Sequence, residues 1–189
     1  NDPRARDAKI MGEKMEHLNK IVEQILNFAR TAEPSFAPVQ VNQLIDDLAL
    51  LVRHKLRNQQ VEFVRQLSPE LPMVSGDAAQ LAQVFLNLTL NAAEAMPGGG
   101  RLTISSRLIS SSNSKAGDQL LVEFKDTGEG MSREQQKRAF SSLLSTTKAQ
   151  GTGLGLALVK RVVETHHGEL QIKSKLGKGT TITVSFPAT

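Results

Sequence analysis

Two prolines, Pro34 and Pro38, cut this chain into segments that obey different periodicities. Upstream of them, Met11, Met15, Leu18, Val22, Ile25 and Ala29 recur at spacings of 4, 3, 4, 3 and 4 residues. That is the seam of a heptad helix, so residues 4–30 are predicted to form one long helix. Ile10, Ile21, Leu26 and Phe28 widen its apolar stripe, which other helices must then cover. A bundle formed between two chains is the expectation; the plainer alternative is a helix lying on its own domain. Prolines within residues 32–38 end the helix and space it from the remainder of the chain, which favours the bundle. With Asn1 rather than Met at its start, the chain reads as a fragment, and any membrane span is expected upstream of it.

From Val39 the pattern alternates between strand and helix. A short strand is expected at 39–41. A helix capped by Asn42 should run to about Arg57, with Leu44, Ile45, Leu48, Leu51, Val52 and Leu56 inward. Residues 61–64 alternate as a strand. Asp77 is a second cap, before a helix that turns Leu81, Val84, Phe85, Leu88 and Ala92 inward and ends at Met96-Pro97-Gly98. Strands are expected at 102–108 and 120–125, around a Ser-rich turn. A helix should run from Gly153 to about His166. A closing hairpin, 169–174 with 180–186, turns at Gly177-Lys178-Gly179. Of the 189 residues, 39% are hydrophobic and 22% charged, enough to bury a core. There is no Cys, which excludes disulfides and thiolate metal sites. The net charge of +4 is dispersed, and Trp and Tyr are absent, so a nucleic-acid stacking surface is not expected.

Three short segments carry chemistry. Asn87 and Asn91 stand one turn apart on a helix, so their amides share a face. An amide oxygen is a hard neutral ligand that suits Mg²⁺ alongside waters and phosphate oxygens; two polar positions on an ordinary helix fit the same residues. Asp126 ends a strand and enters Thr127-Gly128-Glu129-Gly130. The glycines permit positive φ and a close approach of backbone to ligand. A carboxylate there accepts an adenine amine and repels the guanine carbonyl, although Asp-Thr-Gly is also a common turn. Finally, Gly151-Thr152-Gly153-Leu154-Gly155-Leu156 runs straight into a helix, whose free N–H groups attract phosphate. No strand precedes it, which excludes a dinucleotide fingerprint, and no Gly-Lys-Ser/Thr ends it, which excludes a Walker loop. Lys148 stands within reach of a terminal phosphate, or is simply solvated.

Taken in this order, the segments resemble the catalytic ATP-binding domain of bacterial sensor histidine kinases, within the wider group that includes DNA gyrase and heat-shock chaperones. Residues 87–96 resemble its asparagine box, Asp126 to Gly130 its first glycine box, Phe140 its phenylalanine box, and Gly151 to Leu156 its second glycine box. The resemblance implies an α+β fold, an α/β sandwich: a mixed sheet with helices on one face and an ATP lid at about 132–151, preceded by one long helix. Residues 1–31 would be the second helix of a dimerisation hairpin, 32–38 a linker and 39–189 the catalytic domain. It further implies ATP and Mg²⁺ as cofactors and Asn91 as metal ligand. Asn87 and Lys148 would be catalytic. Asn87, Asn91, Asp126, Gly128, Gly130, Lys148, Gly151, Thr152, Gly153, Leu154 and Gly155 would contact the nucleotide. A homodimer, a response-regulator partner and a cytoplasmic location come with it. Related hydrolases carry a Glu where Asn87 stands, so transfer of phosphate rather than hydrolysis is expected. None of His17, His54, His166 or His167 sits in a phosphoacceptor context, so the accepting histidine would lie outside this chain. A non-catalytic ATP-binding regulator is the alternative.

Overall fold

The computed structural model describes Gly12, Met15 and residues 33–110, 117–139 and 154–188. The elements, in order, are β1 (Ala37–Val39), α1 (Val41–Asn58), β2 (Val61–Leu67), β3 (Val74–Gly76), α2 (Ala78–Glu94), β4 (Gly100–Ile109), β5 (Gln119–Asp126), α3 (Arg133–Arg138), α4 (Leu154–Thr165), β6 (Glu169–Lys175) and β7 (Gly179–Pro187). Five strands form one mixed sheet in the order β2-β4-β5-β7-β6. Only β2 and β4 run parallel; the remaining pairs are antiparallel. β1 and β3 form a separate two-stranded ribbon. The expected α+β sandwich is therefore the observed class.

Alternation along the strands places the core on one face of the sheet. Leu120, Val122 and Phe124 of β5 are buried, as are Ile182, Val184 and Phe186 of β7. They pack with Val41, Ile45, Leu48, Val52 and Leu56 of α1, with Leu81, Val84, Phe85 and Leu88 of α2, and with Leu158, Val159, Val162 and Val163 of α4. Among the described residues, no helix is long and apolar enough to cross a membrane. In the leading segment, Gly12 and Met15 are both helical and exposed.

Several sequence expectations need correction. Asn42 does not cap α1. The helix starts two residues earlier, Gln40 is its N-cap, and no side chain caps it. The Asn42 amide instead ties the residue after β2 to β4: its Nδ2 donates to Ser68 O at 2.7 Å, and its Oδ1 accepts from Ser106 Oγ at 2.8 Å. Leu51 is not on the inner face but 69% exposed. It lies six residues after buried Ile45, which at 100° per residue carries it off the stripe. The first strand is Ala37–Val39 rather than 39–41, because Val41 already belongs to the helix. β3 is not foreseen by the sequence pattern; three residues carry too little periodicity to announce a strand. Nor is α3, whose Ser132 and Gln135 form a reciprocal capping box at the start of the expected lid.

Asp77 caps α2 as predicted and does more. Its Oδ1 accepts from Ala79 N and Gln80 N, each at 3.0 Å, while Oδ2 accepts from Ser35 N at 3.0 Å. The Gln80 amide does most to hold its carboxyl below the ordinary value of 3.8; burial opposes this, and the Ser35 and Ala79 amides add to it. The Asp77 N–H donates in turn to His166 Nε2 at 2.9 Å. A backbone N–H can only donate, so Nε2 holds a lone pair and the ring proton sits on Nδ1, facing Val162 O at 2.7 Å. Buried His166 also faces Phe36 across 5.0 Å between ring centroids. The proline-containing stretch before β1 is thus fastened to the start of α2 and the end of α4.

Candidate functional site

The site grows from the end of β5. Asp126 is 7% exposed. Its Oδ1 accepts from Gly128 N at 2.9 Å and from Thr180 N at 3.1 Å. Two backbone donors on one oxygen fix the carboxylate's plane. An acid so placed is a preorganised acceptor for a ligand N–H.

The two glycines after Asp126 are required by the protein's own backbone. A Cβ at Gly128 would lie 2.4 Å from Ala95 O, and one at Gly130 would lie 2.1 Å from Lys175 O. Gly130 also adopts φ 68°, whereas Gly128 has no positive φ. The close approach that the fold shows at these two positions is to α2 and β6 of the protein itself. Glu129 N donates to Ala95 O at 3.0 Å, and Ala95 N donates to Asn91 O at 3.1 Å. This chain of bonds presses the turn after Asp126 onto the last turn of α2.

Asn87 and Asn91 sit four residues apart in α2 and are both half-buried. The Asn91 amide faces the start of α4, with its Nδ2 3.9 Å from where a Gly155 Cβ would stand. The described parts of all three segments thus meet at the C-terminal end of α2. Lys148, Gly151, Thr152, Gly153 and Phe140 lie outside the described residues, as does the side chain of Leu154. Among the described residues, no group of three His, Cys, Asp or Glu side chains could hold a metal. What the site offers is amide oxygen, which fits a Mg²⁺ whose remaining ligands are phosphate oxygens and water.

Sequence reasoning misses Thr180, which reads only as the start of a strand after the hairpin turn. It is 6% exposed and gives its N–H to Asp126. The available signal is Gly179, placed immediately before it: φ is 89°, and a Cβ there would stand 2.1 Å from Asp126 O. A glycine there is what lets β7 close on the end of β5.

Residues 76–189 match the family described as histidine kinase-, DNA gyrase B- and HSP90-like ATPase. The chain belongs to this ATPase family. It is similar to the signal transduction histidine-protein kinase AtoS of Escherichia coli (strain K12), with 33% identity over 92% of this chain and 28% of that protein. It is equally similar to the sensor histidine kinase ZraS of the same strain, with 33% identity over 95% of this chain and 37% of that protein. The chain therefore spans about a third of the length of these relatives. Among solved structures, full-length ShkA in complex with AMPPNP superposes with a TM-score of 0.77 and 25% identity, covering all of this chain and 40% of that one. Within this family member, the asparagine segment forms the last turns of α2. The first glycine segment comes after β5, and the second leads into α4.

Proposed function

We propose that this chain is the ATP-binding kinase portion of a sensor histidine kinase, holding ATP with Mg²⁺ for transfer of the terminal phosphoryl group to a histidine outside the chain. The observation that carries the reading is Asp126, a carboxylate held by two backbone amides and buttressed onto the asparagine-bearing turn of α2. Such an acceptor at one end of a cleft selects the 6-amino group of adenine. Asn91 at the other end would contribute an amide oxygen to Mg²⁺, and Asn87 would orient phosphate or bound water. Lys148, with Gly151, Thr152, Gly153, Leu154 and Gly155, would hold the phosphates through charge and helix N-terminal amides. When bound, the ion neutralises charge developing on the phosphoryl oxygens. Asn87 cannot accept a proton from water at neutral pH, which supports storage of ATP over hydrolysis.

Two of the described histidines, His54 and His166, support an acceptor elsewhere. His166 is buried with both ring nitrogens engaged, and His54 Nε2 lies 3.0 Å from Asn58 Nδ2. Residues 1–31 would supply one helix of a dimerising hairpin, with 32–38 as its linker and 39–189 as the catalytic domain. A homodimer, a response regulator and a cytoplasmic placement with any membrane anchor upstream complete the reading.

The test is a titration of the chain with ATP and GTP, with and without Mg²⁺, and then addition of a histidine-bearing helical hairpin. ATP should bind in preference to GTP and bind tighter with Mg²⁺. Acid-labile phosphate should appear only on the added hairpin. Phosphate on this chain alone refutes the external acceptor. ATP binding without any transfer favours the non-catalytic regulator, and absence of ATP binding defeats the proposal.

A further inference from the structure

A network of hydroxyls lies behind the Asp126 carboxylate, on the side of the β6–β7 hairpin, and it centres on Ser174. Thr180 lies one step beyond the Lys125–Thr181 pair of the β5–β7 ladder, opposite Asp126. By strand alternation its side chain shares the face of Ile182, Val184 and Phe186, the same face that carries the core and the nucleotide helices. Thr180 Oγ1 is 2.8 Å from Ser174 Oγ. Ser174 Oγ also lies 2.9 Å from Gly179 O, and it accepts from Met131 N at 2.8 Å.

A serine hydroxyl has one proton and two lone pairs. Gly179 O can only accept, so it takes the Ser174 proton. Met131 N–H can only donate, so it takes one lone pair. The second lone pair is then filled by the Thr180 proton. This assignment satisfies every partner, and it directs the Thr180 proton away from Asp126. Thr180 Oγ1 is left with acceptor character only, on the residue whose N–H bonds the Asp126 carboxylate.

We propose that Ser174 is a positioning residue for nucleobase choice: by holding the Thr180 proton it keeps Thr180 an acceptor, so that Asp126 and Thr180 together present acceptors alone to a bound base and favour one bearing an amino group. The inference rests on the ATP-binding reading and adds a residue remote from the three motifs. Nothing in the sequence around Ser174 marks it, since it stands between Lys173 and Lys175 just before the hairpin turn. The same residue also anchors the chain leaving Gly130, since Gln136 Nε2 donates to Ser174 O at 3.0 Å and to Met131 O at 3.1 Å. That backbone clasp gives an internal control, because cutting it leaves the hydroxyl network in place.

The experiment measures ATP and GTP affinity by calorimetry on the full chain and its variants. Ser174→Ala frees the Thr180 proton to turn toward the base, so ATP should bind about five-fold more weakly and the ATP-over-GTP ratio should narrow by a similar factor, the value of one neutral hydrogen bond. Ser174→Thr restores the hydroxyl and should restore the ratio. Gln136→Ala should leave the ratio at its wild-type value. Should Ser174→Ala fail to fold, Ser174→Cys keeps the volume while weakening the hydrogen bonds, and should narrow the ratio in the same sense. A folded Ser174→Ala or Ser174→Cys variant with a wild-type ratio overturns the inference and leaves ATP binding intact. A wild-type chain that binds neither nucleotide overturns both.

Discussion

Replacing Asp126 by Asn tests the site with nearly no change of shape. In the wild type, Oδ1 accepts from Gly128 N and Thr180 N at 2.9 and 3.1 Å. The Asn carbonyl can keep both bonds, now without charge. Turning two charge-assisted bonds into neutral ones should cost about 1–2 kcal/mol of stability. The domain should therefore stay folded, with a lower melting temperature. Binding should suffer more. The amide nitrogen takes the place of the second carboxylate oxygen and presents donors where an adenine amine also presents donors. Loss of one charge-assisted hydrogen bond is about 1.5–3 kcal/mol, or roughly 10- to 150-fold in ATP affinity. GTP should lose less or gain, because the guanine carbonyl can accept from the new amide. Calorimetric titration of both nucleotides, on protein shown to be folded by circular dichroism, reads the two numbers. Unchanged ATP affinity, or an equal loss for ATP and GTP, would refute Asp126 as the base-reading acceptor.

Other consequences are open to direct measurement. Asp77→Ala removes the α2 cap and should cost about 1 kcal/mol at pH 7. Because the folded carboxyl titrates below 3.8, its contribution is present above that value and fades as pH falls through the lowered one; thermal melts of the two proteins should converge in strong acid, and a gap that persists there contradicts the linkage. Thr89→Val removes a fully buried hydroxyl that has no hydrogen-bond partner among the described residues, and should raise stability by about 1 kcal/mol in urea titration; a clear loss would mean the hydroxyl is satisfied after all. Gly130→Ala must accommodate a Cβ 2.1 Å from Lys175 O at φ 68°, so about 2–4 kcal/mol should be lost, and a variant within experimental error of wild type would discredit the tight turn.

Legibility in the chain depended on the range of the interaction. Asp126 with its glycines, and Asn87 with Asn91, are local patterns, and the structure gathers their described parts at one end of α2. The Asp77 cap is local too. Thr180 was not legible, because its meaning comes from Asp126, 54 residues away. Asn42 misled for the complementary reason: its residue type suits a cap, but Ser68 and Ser106, distant in sequence, take up its amide. Leu51 looks inward because leucine usually is, although the helical angle carries it outward. Gly128 and Gly130 read in the sequence as backbone kept bare for a ligand, whereas the fold shows Ala95 and Lys175 packed against them.

The fastening around Phe36 has a mechanical corollary. Ser35 is bonded to the cap of α2 and Phe36 faces the histidine that closes α4, so one short stretch of chain grips α2 and α4 at the ends opposite Asn91 and Gly155. Shortening the chain to begin at Val39 would therefore take away one of the backbone donors that hold the Asp77 carboxylate and uncover a face of the buried His166 ring.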